Sequence, residues 1–151
     1  MNVSDDVLFA SGSATLDSIG RKVLVKVAAQ LAKLDYTVEV QGHTDDIPIR
    51  GSLAKRFPTN WELAAARAAR VARLLQEKGV SGDRLTVASF ADNRPLVPNN
   101  SAEARAQNRR IEIRLWPIDD PVAEVSSESS VDAVAGRPPD GSPPVPASPT
   151  R

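Results

Sequence analysis

The spacing of apolar residues predicts a long amphipathic helix in the first quarter of the chain. Between residues 15 and 34, apolar side chains recur every three or four positions, at Leu16, Ile19, Val23, Val27, Leu31 and Leu34. An α-helix completes a turn about every 3.6 residues, so this spacing places them on one helical face. We therefore expect residues 15–34 to form a helix that buries this face in the core.

Three later segments are typical of β-strands. Residues 36–41 and residues 111–115 alternate polar and apolar side chains, and residues 85–90 form a further strand candidate. Because successive side chains of a strand point to opposite faces, alternation of this kind indicates one buried face. The first of these strands would deliver His43 and Asp45 to its C-terminal end.

An alanine-rich segment lies between the strands predicted at residues 36–41 and 85–90. Thr59 and Glu62 form a capping-box pattern at its start and Gly79 follows its last turn, so we expect a helix from Thr59 to Lys78. A helix between two strands of one sheet predicts a parallel, right-handed crossover.

Two shorter segments complete the pattern. Residues 46–58 contain two prolines and a glycine, which predicts a long loop. Asn100 and Glu103 predict the start of a short helix before the last strand. Together, the elements indicate a two-layer α/β (α+β) sandwich with its helices on one face of a sheet.

Composition divides the chain into two parts. The chain has 151 residues and a formal net charge of zero, but residues 1–116 carry 17 basic and 13 acidic side chains, whereas residues 117–151 carry 2 and 6. The second part also holds 8 of the 12 prolines. Such a segment buries too little apolar surface to offset its ordering entropy. We expect residues 1–116 to form one domain and residues 117–151 a disordered tail rich in proline, serine and acidic residues.

Composition also narrows the classes of site. The chain has no cysteine and a single histidine, His43, so we expect neither a disulfide framework nor a metal site, and no cofactor. A run of eighteen apolar residues is absent from the printed sequence. We therefore expect this sequence neither to span a membrane nor to begin with a signal peptide.

Three polar motifs lie where a predicted strand meets a loop or a helix. They are Gly42-His43-Thr44-Asp45, Asn60-Trp61-Glu62-Leu63 with Arg67, and Asn108-Arg109-Arg110. Asp45 offers a carboxylate to a cation, and Arg67 offers a planar set of donors that matches a carboxylate bidentately. On the residues alone, Asp45 is also consistent with a loop cap, and Arg67 with a solvated helix flank. The combination predicts a receptor for a zwitterion.

This motif set resembles the OmpA-like peptidoglycan-binding domain, whose pattern joins a His-Thr-Asp strand end, an Asn-x-x-Leu-x-x-x-Arg helix start and a late Asn-Arg-Arg. Within that family, the chain is most similar to the periplasmic C-terminal domain of the flagellar stator protein MotB and its relatives. The motifs behind this narrower likeness lie in residues 8–14, 45–49 and 57–63. The resemblance implies the order β-α-β-α-β-(α)-β, with helices packed on one face of a mixed sheet.

The resemblance also implies a function: non-catalytic binding of peptidoglycan through its diaminopimelate-containing stem peptide. By this likeness, Asp45 takes the ligand's ammonium group and Arg67 grips its carboxylate. Four further residues are carried over as ligand-binding: Thr44, Asn60, Leu63 and Arg110. The family further implies a homodimer that anchors a membrane assembly, a flagellar motor stator, to the cell wall. It would be the periplasmic part of a protein of the Gram-negative inner membrane with a MotA-like channel partner.

Several alternatives remain open at this point. An OmpA- or Pal-type tether between outer membrane and wall is the nearest one. A wall hydrolase is disfavoured because the adjacent Asp45 and Asp46 diverge on extended backbone, and a nucleic-acid binder because aromatic residues are few. One departure from the family pattern is Phe90-Ala91-Asp92, where the family often has aromatic-Gly-Glu. Alanine at that place restricts a backbone that glycine would free.

Overall fold

The computed structural model of the protein describes residues 1–118, which contain a four-stranded mixed sheet. Its strands are β1 (Asn2–Ser4), β2 (Tyr36–His43), β3 (Leu85–Ala91) and β4 (Arg110–Pro117), in the spatial order β1-β4-β2-β3. The β2 and β3 strands are parallel, as predicted, while β4 runs antiparallel to both β1 and β2. The predicted α+β class and mixed sheet are confirmed.

Five helices accompany the sheet in residues 1–118. They are α1 (Asp5–Leu8), α2 (Ser18–Leu31), α3 (Ser52–Arg56), α4 (Asn60–Glu77) and α5 (Ala102–Asn108), with a 3-10 turn at Gly82–Arg84. The α4 helix begins at the predicted capping box, in which the Glu62 carboxylate accepts a hydrogen bond of 2.9 Å from the Thr59 amide. This cap fixes the start of α4 beside the C-terminal end of β2.

The hydrophobic core lies between one face of the sheet and the helices α2 and α4. Alternate residues of the two central strands point into it, and Val38, Val40 and Ile111 are almost completely buried. Leu24 of α2 and Leu75 of α4 cover them from the other side. Because successive side chains of a strand point to opposite faces, the side chains between these core residues lie on the other face of the sheet.

The buried face of α2 is rotated from the predicted one and overlaps it in part. Leu31 is in the core and Leu16 and Val27 pack against it, as predicted, but the other buried residues of α2 are Gly20, Leu24 and Ala28, and Ile19 and Leu34 are exposed. The helix begins at Ser18 because the Asp17 carboxylate accepts a hydrogen bond of 2.7 Å from the Gly20 amide. A Cβ atom at Gly20 would lie 2.4 Å from the Leu8 carbonyl oxygen, so the glycine lets α1 and α2 touch. This contact selects the face that is buried.

Two local predictions also need correction. The loop predicted at residues 46–58 contains the short helix α3. The short helix before the last strand is capped by Ser101 and not by Asn100, because the Ser101 hydroxyl accepts a hydrogen bond of 3.0 Å from the Ala104 amide. Neither change moves a strand of the sheet.

The predicted tail, residues 117–151, lies outside the described residues from position 119 onward, and Pro117 is the last residue of β4. Among the helices of residues 1–118, none combines the length and the apolar character that crossing a bilayer requires.

Candidate functional site

The site lies where β2 ends beside the first turns of α4. Gly42 brings the strand and the helix into backbone contact, since a Cβ atom there would lie 2.2 Å from the Ala64 carbonyl oxygen. Thr44 and Asp45 follow directly after β2, and Arg67 lies one helical turn beyond Ala64. The fold thus brings the first two predicted motifs together at one edge of the sheet.

A cavity of about 330 Å³ opens at this edge. Its walls come from α1 and the segment that follows it, from the loop after β2, from α4, and from Arg109 just before β4. Five of the six predicted binding residues line it: Thr44, Asp45, Asn60, Leu63 and Arg67. The sixth, Arg110, lies elsewhere.

Asp45 is held in place by hydrogen bonds to both of its carboxylate oxygens. Its Oδ1 accepts a hydrogen bond of 3.0 Å from the Ile47 amide, which is a loop-capping contact. Its Oδ2 lies 2.8 Å from Nη1 of Arg109. Asp45 is therefore both a cap for its own loop and one half of an ion pair that faces the cavity.

Arg67 is buried and carries its own counter-ion. Its Nη1 lies 2.7 Å from Oδ2 of Asp5, and its Nε and Nη2 donate hydrogen bonds of 3.1 and 2.9 Å to the Ser13 carbonyl oxygen. The guanidinium carbon lies 5.3 Å from the centre of the Phe9 ring. Burial lowers the pKa of Arg67, and the Asp5 carboxylate opposes that shift. An arginine remains charged under such conditions because its unperturbed pKa is above about 12.

Asp5 is a charged residue of the site that the sequence pattern did not single out. It lies in α1 with its side chain only 7% exposed, between Arg67 and Arg109, whose Nε is 3.6 Å from Asp5 Oδ1. That Oδ1 is buried and has no hydrogen-bond partner in residues 1–118. Burial raises the pKa of Asp5 to about 6, while the Arg67 charge opposes the shift. We call Asp5, Asp45, Arg67 and Arg109 the cavity cluster.

The two adjacent arginines of the third motif point to different places. Arg109 caps the end of α5 and reaches the cavity cluster, where its Nη2 also lies 3.7 Å from the exposed Asp6 carboxylate. Partial burial disfavours its charge, but the Asp45 hydrogen bond and the Asp5 charge outweigh this and raise the pKa of Arg109. Arg110 is the first residue of β4 and points away from the cavity. The cavity-facing arginine of Asn-Arg-Arg is thus Arg109, and the assignment to Arg110 needs correction.

Arg110 belongs to a second polar group on the opposite face of the sheet. Its Nη2 lies 2.8 Å from Oε2 of Glu112, and the same oxygen lies 3.1 Å from Nε2 of His43. Gln41 is the fourth member, with its Oε1 at 3.4 Å from the His43 ring. We call His43, Gln41, Arg110 and Glu112 the sheet-face cluster.

The sheet-face cluster is closed by packing. The His43 ring stacks on Phe90 with 5.2 Å between ring centres, and its Nδ1 is buried without a partner in the described part of the chain. Burial, together with the Arg110 charge, lowers the pKa of His43 to about 4. Within residues 1–118, no group of three or more His, Asp or Glu side chains is arranged to hold a metal ion.

The other predicted residues position the loop after β2. Asn60 donates hydrogen bonds to the carbonyl oxygens of Ile47 at 3.1 Å and of Asp45 at 3.4 Å. The Thr44 hydroxyl donates one of 2.9 Å to the Asp45 carbonyl oxygen. Leu63 is buried and forms a wall of the cavity. The hydrogen bonds of Asn60 and Thr44 thus hold the Asp45 backbone at the edge of the cavity.

Ala91 adopts the conformation for which the family often uses glycine. Its φ is +49°, and its carbonyl oxygen accepts a hydrogen bond of 2.8 Å from the Thr44 amide. A positive φ costs a residue with a Cβ atom roughly 1 kcal/mol or more. Ala91 thus takes up a positive φ despite its Cβ atom, and the hydrogen bond ties this turn to the site.

A larger groove of about 740 Å³ lies away from the charged residues of the site, between the end of α2 and the second half of β4. Leu34, Leu115 and Trp116 give it an apolar surface. It lacks the pairing of two carboxylates with two guanidinium groups that characterises the cavity cluster. The smaller cavity is therefore the better candidate for recognising a charged ligand.

Comparisons with known proteins identify the family and agree with the fold. The model of the OmpA family matches residues 8–109. Motility protein B of Helicobacter pylori is 35% identical over 118 residues, which cover 75% of this chain and 44% of that protein. The crystal structure of the periplasmic domain of Helicobacter pylori MotB superimposes with a TM-score of 0.71 at 30% identity, covering 87% of this chain and 83% of that one.

Two further relatives carry names that concern the cell wall. The structure of the cell wall anchor of the T6SS from Pseudomonas aeruginosa has a TM-score of 0.68 at 40% identity, covering 74% of this chain and 76% of that one. Peptidoglycan-binding protein ArfA of Mycobacterium bovis is 33% identical, over 71% of this chain and 31% of that protein. The chain spans less than half the length of the first curated relatives it matches.

Proposed function

Because this chain belongs to the OmpA family, we propose that it binds peptidoglycan without catalysis and anchors a larger assembly to the cell wall. The proposed ligand is the diaminopimelate residue of the stem peptide, whose free end carries an ammonium and a carboxylate group. One observation carries the proposal: the carboxylates of Asp5, Asp6 and Asp45 and the guanidinium groups of Arg67 and Arg109 line one cavity of about 330 Å³.

The charges of the cavity suggest how such a ligand would lie. Asp45 borders the cavity with a carboxylate that would receive the ammonium group. Arg67 and Arg109, the positively charged partners in the ion pairs with Asp5 and Asp45, supply guanidinium donors that would receive the carboxylate. Leu63 would contact the methylene groups that link this free end to the rest of the diaminopimelate residue. The pattern matches a zwitterion better than a simple anion or cation.

The affinity of a single site is expected to be modest. Asp45 and Arg67 already have ion-pair partners, so a ligand exchanges one set of charge contacts for another. Polar groups also lose water when they bind. Several copies facing a polymeric wall would multiply this weak affinity through avidity.

The wider biological setting is inferred from relatives. We propose a periplasmic location and, within the OmpA family, a role as the wall anchor of a flagellar motor stator; a tether of the OmpA or Pal type is the alternative. The homodimer and the MotA-like channel partner stay predictions. The exposed Leu115 and Trp116 would supply apolar surface for self-association.

A wall hydrolase is the second candidate, because Asp5 is a second carboxylate near Asp45. Both carboxylates contact Arg109, and the pKa of Asp5 is raised to about 6, as a general acid requires. Asp5 is only 7% exposed, however, and its carboxylate is engaged by Arg67 at 2.7 Å, so it is poorly placed to protonate a sugar oxygen. The arrangement favours binding, and the same experiment tests both.

The experiment is co-sedimentation of the purified chain with diaminopimelate-type sacculi. Wild type is compared with Asp45→Asn and Arg67→Gln, and with Arg70→Gln as a matched control on the exposed side of α4. We expect wild type and Arg70→Gln to pellet, while the two cavity variants lose at least tenfold in affinity, about 1.4 kcal/mol. Circular dichroism checks that each variant is folded.

Two results would contradict the proposal. If folded Asp45→Asn and Arg67→Gln pellet as well as wild type, the cavity is not the binding site. If soluble muropeptides accumulate in the supernatant with wild type and not with Asp45→Asn, the chain is a hydrolase.

A further inference from the structure

The proposed carboxylate site is already occupied from within the protein. Arg67 has five N–H groups, and three of them are engaged: one with Asp5 at 2.7 Å and two with the Ser13 carbonyl oxygen. Asp5 itself is buried and is held by α1, whose backbone is tied to Arg109 by a 3.0 Å hydrogen bond. A ligand carboxylate that approaches Arg67 therefore meets an internal carboxylate in the same place.

This observation rests on the proposed function and deepens it. We propose that Asp5 is an internal competitor for the ligand's carboxylate, and that ligand binding is coupled to the uptake of one proton by Asp5. Protonated Asp5 no longer pairs with Arg67 as an anion, so the guanidinium becomes available to the ligand. Asp5 would thus act as a positioning residue that sets when the site can be filled.

The groups around Asp5 make it the member of the cluster that takes up the proton. Arg67 and Arg109 face it from α4 and from the end of α5, and Asp6 is its neighbour in α1. Asp45 lies on the far side of Arg109. Asp5 is the most enclosed of these carboxylates, and its Oδ1 accepts no hydrogen bond within residues 1–118. Both carboxylate oxygens of Asp45 accept hydrogen bonds, from its loop amide and from Arg109, whereas the Oδ1 of Asp5 accepts none in this part of the chain.

A second carboxylate at Arg67 would strengthen this tendency. Burial already raises the pKa of Asp5 to about 6, with Asp6 adding to the shift. A like charge nearby disfavours ionisation further, so the bound state would hold the proton at a still higher pH. Affinity should then be constant below pH 6 and fall as the pH rises above it, by up to about tenfold per pH unit.

The experiment is isothermal titration calorimetry with the tripeptide L-Ala-γ-D-Glu-meso-diaminopimelate between pH 5 and pH 7.5. Wild type is compared with Asp5→Asn, an isosteric variant, and with Asp46→Asn, whose carboxylate pairs with Arg105 outside the cavity. For wild type, we expect the affinity to fall by up to about thirtyfold from pH 5 to pH 7.5. Asp46→Asn should show the same profile, whereas Asp5→Asn should bind with an affinity that does not change with pH.

A second readout does not depend on any variant. Titrations of wild type at pH 7 in two buffers with different ionisation enthalpies report the number of protons taken up per ligand, which we expect to be close to one. A value of zero, or a flat wild-type profile with clear binding, would overturn the coupling and leave the proposed function intact. Absence of tripeptide binding at every pH, in wild type and Asp5→Asn alike, would instead overturn the proposed ligand site.

Discussion

The cavity cluster and the sheet-face cluster are built from the same kinds of residue but do different work. Both contain arginine–carboxylate pairs near 2.8 Å, and both receive one of two adjacent arginines, Arg109 or Arg110. In the cavity cluster, the pairs border an open space of about 330 Å³. In the sheet-face cluster, Arg110 and Glu112 are buried, Phe90 stacks on the neighbouring His43, and the Arg94 carbonyl oxygen accepts a hydrogen bond from Arg110. The adjoining cavity, and not the ion pair itself, therefore distinguishes a candidate ligand site from a purely structural ion pair.

The two clusters also differ in the direction of the pKa shift of their buried titratable group. Burial favours the uncharged form in both cases, which raises the pKa of Asp5 and lowers that of His43. Asp5 would therefore take up a proton near neutral pH, whereas His43 remains neutral until the solution is strongly acidic. Acidification thus affects the stability of the two clusters in opposite directions.

The largest expected effect comes from breaking the sheet-face cluster. Replacing Arg110 by Met leaves the Glu112 carboxylate buried without its main partner, and the carbonyl oxygens of Asn108 and Arg94 lose a donor. We expect a loss of about 3–5 kcal/mol in the free energy of unfolding. Urea denaturation followed by circular dichroism measures it. Binding to sacculi by the folded fraction should be unchanged.

The opposite result would reverse the comparison. If Arg110→Met retains its stability and loses binding, Arg110 and not Arg109 contacts the ligand, as the family resemblance first suggested.

The next effect is the pH dependence of stability. The pKa of His43 is lower in the folded state, so its contribution is complete above pH 6.5 and is lost as the pH falls toward 4. The pKa of Asp5 is higher in the folded state, so its contribution is complete below pH 3.8 and is lost as the pH rises through about 6. From pH 7.5 to pH 4, wild type should lose about 3 kcal/mol relative to His43→Gln and gain about 2 kcal/mol relative to Asp5→Asn.

Urea denaturation of the three proteins at a series of pH values checks these differences. Each comparison with wild type cancels the other carboxylates, which titrate in all three proteins. Slopes of the same sign for both variants would show that the clusters do not differ in the way described.

The smallest expected effect comes from Arg109, the counterpart of Arg110. Its side chain is 29% exposed, so its pair with Asp45 contributes little to folding, about 1 kcal/mol or less. Arg109→Gln should therefore remain stable but bind sacculi about tenfold more weakly, because one guanidinium donor of the cavity is lost. Stability and binding measured on the same preparation separate the two properties. A large loss of stability would make Arg109 a structural residue.

Much of the fold could be predicted because its signals are local. The capping box of Thr59 and Glu62 and the alternation in β2 both lie within short windows of sequence. The resemblance to the OmpA family rests on motifs of the same kind and is confirmed by the family model. Local signals fix where an element begins and which ligand-type residues stand at its end.

The remaining features depend on contacts between distant residues. Asp5 and Arg67 are 62 positions apart, so no window of sequence joins them. The choice between Arg109 and Arg110 depends on where α5 stops and β4 begins. In α2, residues 23–25 and 27–28 are all apolar, and only the packing of α1 on Gly20 decides which face is buried. Tertiary packing, and not local sequence, determines these three features.

The backbone contact between Gly42 and Ala64 has an evolutionary consequence. No side chain stands between β2 and α4 at this point, so the spacing across the receptor does not depend on the residues that decorate the outside of the helix. The outward-facing Arg70 and Arg73 can be exchanged without altering the distance between Asp45 and Arg67. The outer surface of α4 can therefore change without altering the geometry of the proposed site.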